Sequence, residues 1–320
     1  MTLVFMFPGQ NSRYPGMLEK LTGLHRVNRH VLDWASHILN RNLYEQYRVD
    51  NPDAYATNRD VQVSVFLANH MFLQVLEASG VNAALSLGLS LGEWNHLVHI
   101  RALTFEDALR AVEQRGMLYD QGPRGCMASV FPIELEELDD VVARARSAGL
   151  VEVVNLNTPR QYVIAGEHDA VKEALRLLEA EYFAQAVMID HQLPMHSSMF
   201  EPVCRAFRGY LEGLEFRRPG RPYVPNRLGE LINDPDRETF IELLSTHVCN
   251  RTFWRKSIDR IAELHPDAFF LEVGPKKVLH NMLDRKWRRN EKLFVDSGDV
   301  PLEHLSTVIE SLRLHAFRTN

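Results

Sequence analysis

The segment that decides the fold is Ala83-Ala84-Leu85-Ser86-Leu87-Gly88-Leu89-Ser90-Leu91-Gly92-Glu93. Its first part, Ala83 to Leu87, is a short apolar run typical of a buried strand. Gly88-Leu89-Ser90-Leu91-Gly92 fits the pattern G-x-S-x-G, and apolar residues at helical spacing follow it. A strand, a sharp glycine-flanked turn and a helix together indicate a nucleophile elbow, in which the serine projects from the end of the strand. We therefore predict that Ser90 is a catalytic nucleophile.

A nucleophilic serine needs an oxyanion donor and a base, and the sequence offers candidates for both. The helix after Ser90 begins with N–H groups that lack intrahelical partners, so we predict the backbone N–H of Leu91 as an oxyanion donor. Serine alone is a poor nucleophile and needs a base. Among 14 histidines, context favours His196, because the chain re-enters the larger predicted domain there, and His191 is the rival.

The order of predicted strands and helices along the rest of the chain indicates a larger α/β unit with a small α+β unit inserted into it. Leu3–Phe7 and Phe269–Val273 are continuous apolar runs, which indicate strands buried on both faces. Between them, a strand-helix-strand-strand-helix-strand order is typical of a ferredoxin-like unit. We predict a large α/β-hydrolase-like domain of residues 1–126 and 197–320, interrupted by a small ferredoxin-like α+β domain of residues 127–196. The substrate cleft is expected between the two domains.

The segments predicted for the inserted unit are the strands Met127–Phe131, Val151–Val154, Tyr162–Ala165 and Ala186–Ile189, with the helices Leu135–Ala148 and Ala170–Tyr182.

Composition excludes several classes of protein. A net charge of −6 gives no global basic field that would gather nucleic acid, and no run of about 18 apolar residues predicts a membrane helix. Three cysteines are too few and too scattered for a disulfide framework or a four-ligand zinc site. His191 and His196 have the wrong spacing for zinc on one helix face. The start of the chain lacks a signal-peptide pattern, so we expect a soluble, cytoplasmic monomer without bound metal.

Further motifs follow one another along almost the whole chain. They are Phe7-Pro8-Gly9-Gln10, Gly88 to Glu93, Arg115-Gly116, Asn157-Thr158-Pro159-Arg160-Gln161, Met195-His196-Ser197, Trp254 and Glu272-Val273-Gly274-Pro275. In this order the chain resembles the malonyl-CoA:acyl carrier protein transacylase family, which includes the free-standing acyltransferases of polyketide synthases. The resemblance implies a ping-pong acyltransferase in which Ser90 takes the acyl group as an ester and His196 is the base. The partner would be an acyl carrier protein, with no bound cofactor and with coenzyme A or carrier-protein thioesters as substrates.

The resemblance also implies roles for other residues. The backbone N–H groups of Gln10 and Leu91 would hold the oxyanion. Arg115 would pair with a free carboxylate on a malonyl-type acyl group. A backbone carbonyl usually orients the histidine in this family, and Asn250 aligns with that role here. Met195 stands where the family sets its acyl selectivity.

Departures from the family pattern leave the substrate open. Leu89 replaces the histidine before the serine, Asn11 and Arg13 replace a glycine and a glutamine, and Met195 replaces a residue that is commonly Phe or Ser. These changes favour an unusual acyl group in polyketide or fatty-acid biosynthesis. The main alternative is an acyl hydrolase that clears carrier proteins with the same dyad, although Arg115 favours transfer. The basic run Arg285 to Arg289 is a candidate docking surface for an acidic carrier protein, or a solvated helix face.

Overall fold

The computed structural model describes residues 1–301 and 303–318, and two β-sheets organise it. In these ranges the strands are β1 Thr2–Phe7, β2 Leu85–Gly88, β3 Cys126–Phe131, β4 Val151–Thr158, β5 Gln161–Gly166, β6 Gln185–Asp190, β7 Ala268–Glu272 and β8 Lys292–Phe294. The helices are α1 Met17–Leu24, α2 Arg26–Leu39, α3 Leu43–Gln46, α4 Asn58–Ala78, α5 Gly92–His99, α6 Phe105–Asp120, α7 Leu135–Ala145, α8 His168–Tyr182, α9 Glu201–Leu211, α10 Arg237–His247, α11 Trp254–Leu264, α12 Val278–Met282 and α13 Glu303–Arg318.

The first sheet is parallel and has the strand order β2-β1-β7-β8. Its central strand β1 is buried on both faces, because Phe5 and Phe7 enter one apolar core while Val4 and Met6 enter another. Helices α4 and α5 contribute to the first of these cores and α11 to the second, as the buried apolar run predicts. The register pairs Phe7 with Gly88, so the turn after β1 lies beside the turn after β2.

The second sheet is antiparallel, with the order β4-β5-β3-β6. With α7 and α8 it follows the β-α-β-β-α-β sequence of the ferredoxin-like fold and encloses its own apolar core. The predicted fold class, a large α/β unit with an inserted ferredoxin-like unit, is confirmed. The strands of the insertion run from Cys126 to Asp190, while the domain limits 1–126, 127–196 and 197–320 stay a prediction.

Within the inserted unit, β4 and α7 depart most from their predicted bounds, and strand β8 of the first sheet was not predicted. Strand β4 continues beyond Val154 to Thr158, because polar residues there still pair with β5. Helix α7 ends at Ala145 and tightens into a 3₁₀ turn over Arg146–Ala148. Strand β8 was not predicted, since three residues that begin with a lysine are too short to give a strand pattern.

Strand β4 of the small sheet is hydrogen-bonded to Thr252 in the segment that follows α10, and we call this contact the β4–Thr252 bridge. The Thr252 N–H donates to the Val154 carbonyl at 2.8 Å, and the Leu156 N–H donates to the Thr252 carbonyl at 3.0 Å. The segment that follows α10 therefore extends the edge of β4 like a short strand.

Candidate active site

The elbow around Ser90 has the predicted strand–turn–helix form. Strand β2 ends at Gly88, helix α5 begins at Gly92, and Ser90 between them has a positive φ of 52°. A Cβ at Gly92 would lie 2.0 Å from the Phe7 carbonyl oxygen, and a Cβ at Gly88 would lie 2.0 Å from the Gly92 backbone. Both positions therefore require glycine. The close approach also holds the turn after β1 against the elbow.

Ser90 and His196 form a hydrogen-bonded pair. The Ser90 Oγ lies 2.8 Å from His196 Nε2, and His196 Nδ1 lies 2.7 Å from the His247 carbonyl oxygen. With Nδ1 protonated and donating to that carbonyl, Nε2 is free to accept the serine proton. Burial lowers the pKa of His196 well below its ordinary value, which favours a neutral ring. The rival His191 is exposed, and its carbonyl accepts a hydrogen bond from His168.

The orienting carbonyl belongs to His247, and the assignment of Asn250 to this role is wrong. Helix α10 ends at His247, and the last carbonyls of a helix lack intrahelical partners. His196 caps this helix end, because its ring donates to the His247 carbonyl and its backbone N–H donates to the Val248 carbonyl at 3.1 Å. The Asn250 side chain turns back and donates to the Thr246 carbonyl at 2.9 Å. The negative end of the α10 dipole also favours a positive charge on His196.

Two backbone N–H groups are available as oxyanion donors. Gln10 begins a 3₁₀ turn after β1, and Leu91 directly precedes α5. Within residues 1–301 and 303–318 neither the Gln10 N–H nor the Leu91 N–H has a hydrogen-bond acceptor. The Ser90 N–H, in contrast, donates to Asn226 Oδ1 at 3.1 Å. Both N–H groups are therefore free to bind an oxyanion at Ser90.

Arg115 lies beside Ser90 on the buried face of α6. Its side chain is only 2% exposed, and its Nη2 donates to Ser90 Oγ at 3.3 Å. Its Nη1 donates to Gln62 Oε1 at 2.6 Å, and the guanidinium lies 4.3 Å from the centre of the Tyr119 ring. Among the described residues no carboxylate oxygen lies within 4 Å of it. Burial lowers the pKa of this guanidinium, which stays a cation because the ordinary value is so high.

A cavity of about 90 Å³ opens at Ser90 between the two sheets. The turn after β1 supplies Gln10, whose side-chain nitrogen lies 3.5 Å from Met195 Sδ. Strand β4 supplies Asn155 and Asn157, and both amide oxygens are buried without a hydrogen-bond partner in the described part of the chain. The remaining lining residues are Gly9, Asn11, Leu89, Ser90, Met127, Val163, Ile189, Met195, His196, Val278 and Met282. The cavity therefore lies where a cleft between the units was expected.

Sequence reasoning missed four residues that contact this centre. Gln62 on α4 fixes Arg115, while Asn226, His247 and Glu93 surround the dyad. Glu93 belongs to the elbow motif, so its position was recognisable, although its role was not. Asn226 and His247 lie far along the chain in segments without a pattern. The carbonyl of His247 belongs to the backbone, which any residue type supplies, so its contact with His196 had no residue pattern.

Further features of the described residues concern metal positions, membrane-spanning helices and the surroundings of the basic run. No three histidine, cysteine, aspartate or glutamate side chains there converge on a possible metal position. No helix in those ranges combines the length and the apolar character needed to cross a bilayer. In the basic run, Arg288 donates to Asp259, so part of this surface is already paired within the chain.

The whole chain is similar to one family of known proteins. Residues 4–294 match the model of the acyl transferase domain. A malonyl CoA-acyl carrier protein transacylase of Bacillus subtilis is 27% identical over 304 residues, covering 93% of this chain and 94% of the relative. The Escherichia coli K12 protein of the same name is 27% identical over 285 residues, covering 88% of this chain and 91% of that relative.

Solved structures give the same result. The malonyl CoA-acyl carrier protein transacylase of Clostridium perfringens superposes with a TM-score of 0.90 at 26% identity, covering all of both chains. A malonyl-transacylase in complex with its type II polyketide synthase acyl-carrier protein superposes with a TM-score of 0.87 at 27% identity. That match covers 97% of this chain and 100% of the other.

Proposed function

Because the chain belongs to the acyl transferase domain family and is an acyltransferase, we propose that it transfers a malonyl-type acyl group to an acyl carrier protein. The donor is a thioester of coenzyme A or of a carrier protein, and the acceptor is the phosphopantetheine thiol. The acyl group is malonyl or a related dicarboxylic extender. Relatives named as malonyl CoA-acyl carrier protein transacylases support this substrate class.

In the first half-reaction Ser90 becomes acylated. Ser90 Oγ attacks the thioester carbon while its proton passes to His196 Nε2, which lies 2.8 Å away. The negative charge that develops on the carbonyl oxygen is held by the free N–H groups of Gln10 and Leu91. The carbon–sulfur bond then breaks, and the departing thiolate takes the proton from His196. The products are a Ser90 ester and a free thiol.

In the second half-reaction the same groups act in reverse. The thiol of the carrier protein gives its proton to His196 and attacks the Ser90 ester. The carbon–oxygen bond to Ser90 breaks, and the serine oxygen recovers the proton from His196. The carbonyl of His247 holds the ring of His196 throughout both steps.

The observation that carries the choice of acyl group is the buried Arg115 cation. A buried charge is costly unless it is paired and hydrogen-bonded. Arg115 is 2% exposed and lies 3.3 Å from Ser90 Oγ, and no carboxylate of the described residues lies within 4 Å of it. The distal carboxylate of a malonyl group on Ser90 would supply the missing anion, since a guanidinium fork binds a carboxylate with two parallel hydrogen bonds.

Two further features fit a phosphopantetheine thioester and a carboxylated acyl group. The buried amide oxygens of Asn155 and Asn157 lack donors, and a pantetheine arm carries amide N–H groups. Leu89 and Met195 are apolar and buried at the cavity, so they would contact an apolar substituent on the acyl chain. These two features support a malonyl-type extender, with or without a substituent, carried on a phosphopantetheine thioester.

Intact-protein mass spectrometry tests the proposal directly. Wild type and Arg115→Met are mixed with malonyl, methylmalonyl or acetyl thioesters of coenzyme A and quenched at timed intervals. An unpaired buried cation costs about 2–4 kcal/mol, so wild type should acylate roughly 30- to 1,000-fold faster with malonyl than with acetyl donors. Arg115→Met should abolish this preference. Arg110→Met, on the exposed face of the same helix, should retain it. A wild type that prefers acetyl would contradict the dicarboxylic assignment.

A hydrolase with the same dyad is the second candidate, and one observation favours it. A separate cavity of about 400 Å³ also reaches His196 and has polar walls that include Glu152, Asn250 and Arg251. Such a cavity could admit water to the base. Adding a phosphopantetheinylated carrier protein to the acylated enzyme distinguishes the two functions. Transfer moves the acyl mass to the carrier protein, whereas faster release of free acid would favour hydrolysis.

A further inference from the structure

We propose that Glu93 is a positioning residue that aligns both partners of the dyad at once. The proposal rests on the role of Ser90 and His196 set out above, and it concerns neither the acyl donor nor the acceptor. Glu93 contacts neither reacting atom. It lies in the first turn of α5 and is 1% exposed.

One arm of the arrangement runs from Glu93 to the nucleophile. The Asn226 side-chain nitrogen donates to Glu93 Oε2 at 2.8 Å and to the Gly88 carbonyl at 2.7 Å. The Asn226 side-chain oxygen accepts the Ser90 N–H at 3.1 Å. The Asn226 amide is thus held from one side by Glu93 and fixes the elbow from the other. Since Ser90 has a positive φ, its backbone needs such external support.

The other arm runs from Glu93 to the base. His247 Nδ1 lies 3.1 Å from Glu93 Oε2, and the His247 ring stacks on the His196 ring with centres 4.5 Å apart. The carbonyl of the same residue accepts from His196 Nδ1. On its far side, His247 Nε2 lies 2.9 Å from Thr252 Oγ1, at the β4–Thr252 bridge. Glu93 therefore fixes a residue that contacts His196 through both its backbone and its ring.

The second carboxylate oxygen of Glu93, Oε1, also accepts hydrogen bonds. Oε1 accepts the Tyr223 hydroxyl at 2.7 Å and the Asn226 backbone N–H at 3.3 Å. Three donors together with the His247 nitrogen surround the carboxylate. A carboxylate that only accepts satisfies all of them, whereas a group with its own N–H would not. Each of its two oxygens accepts one donor from Asn226.

Glu93→Gln tests this geometry because it keeps the size of the side chain and adds an NH₂ donor. In either orientation of the new amide, its NH₂ faces a donor of Asn226, so Asn226 is displaced and the Ser90 N–H loses its fixed partner. Misplacing reacting groups by about 1 Å can cost roughly 100-fold in rate. We expect the saturating rate constant for acylation of Ser90 to fall roughly 10- to 100-fold, with the half-saturating donor concentration within about threefold of wild type.

Asp296→Asn is the matched control. Asp296 is also 1% exposed and also accepts from a tyrosine hydroxyl (Tyr14), a side-chain nitrogen (Lys20) and a backbone N–H (Gly298). Its partners do not line the Ser90 cavity. We expect both substitutions to lower the thermal unfolding midpoint, while only Glu93→Gln slows Ser90. Equal slowing in both variants would overturn the proposal, because it would indicate a general loss of stability.

The rate is measured with malonyl-CoA and, separately, with a fluorophosphonate probe that reacts with activated serines. The probe reports the alignment of Ser90 and His196 whatever acyl group the enzyme accepts. If the probe labels wild type but malonyl-CoA does not acylate it, the proposed substrate fails and the role of Glu93 is still tested. If Glu93→Gln reacts with the probe as fast as wild type, the role of Glu93 fails alone. Should Glu93→Gln not fold, Asn226→Ala is expected to slow labelling about tenfold, and unchanged labelling would equally overturn the proposal.

Discussion

The elbow at Ser90 and the segment from His247 to Thr252 each hold one partner of the dyad, yet they do so by different means. At the elbow the side chains decide the geometry, because Gly88 and Gly92 have no space for a Cβ. In the second segment the backbone decides it, through the carbonyls of His247 and Val248 at the end of α10. The first region should therefore be sensitive to small substitutions, whereas the second should tolerate them at positions such as Asn250, whose side chain does not contact Ser90 or His196.

Removing either partner of the dyad should have the largest effect. Ser90→Ala should eliminate the acyl-enzyme, and His196→Ala should slow its formation by roughly 10⁴-fold or more, because the two residues act as one unit. The measurement is single-turnover acylation followed by intact mass. His191→Ala is the control and should behave as wild type. Acyl mass on the Ser90→Ala variant would mean that another residue is the nucleophile.

A single methyl group at the elbow should have the next largest effect. In Gly92→Ala the new Cβ would meet the Phe7 carbonyl oxygen at 2.0 Å. Overpacking against backbone should lower the free energy of unfolding by about 3 kcal/mol and separate the Gln10 turn from the elbow. Denaturant unfolding and acylation rates measure both consequences.

Gly209→Ala is the control for that substitution. Gly209 lies in α9 with nothing within 4 Å of the position of a Cβ. Alanine there should raise the free energy of unfolding by about 0.5–1 kcal/mol, because it suits a helix better than glycine. If the two variants had the same free energy of unfolding, the close contact at Gly92 would not contribute to stability.

The smallest effect is expected at Asn250. Asn250→Ala removes hydrogen bonds to the Thr246 carbonyl and the Cys249 sulfur but leaves the His247 carbonyl where it is. The acylation rate should stay within about threefold of wild type, and stability should fall by about 1 kcal/mol. A loss of 100-fold or more would return the orienting role to Asn250 and contradict the contrast between the two regions.

The same contrast explains what could be predicted from the sequence. The elbow, the flanking strand and the following helix depend on residue types at fixed local spacing, so the sequence could place Ser90 on the turn between them. The ferredoxin-like unit follows from alternating apolar runs in the same way. The carbonyl that orients His196 depends on where α10 ends, and helix ends vary by a residue or two for the same pattern. Asn250, which was assigned to this role from the resemblance to the family, lies three residues beyond that end.

Residues that meet only through the tertiary fold had no local signal. Asn226 reaches Ser90 across 136 positions of sequence, and Arg115 meets Gln62 across 53 positions. Neither amide lies in a pattern of its own. The contacts of Asn226 and Gln62 depend on how neighbouring elements pack around Ser90, and the spacing of residues along the sequence does not describe that packing.

The β4–Thr252 bridge has a consequence for the construction of hybrid enzymes. Strand β4 carries Asn155 and Asn157 into the cavity, and the same strand holds the segment whose His247 contacts the base. The small sheet therefore cannot be exchanged without also changing a contact of the segment that holds His196. A chimera that exchanges residues 127–196 between relatives would bring a foreign strand edge against a native 247–252 segment. If both segments are transplanted together, the hydrogen bonds between β4 and the 247–252 segment are kept. The His196 ring, which contacts His247, then keeps its position.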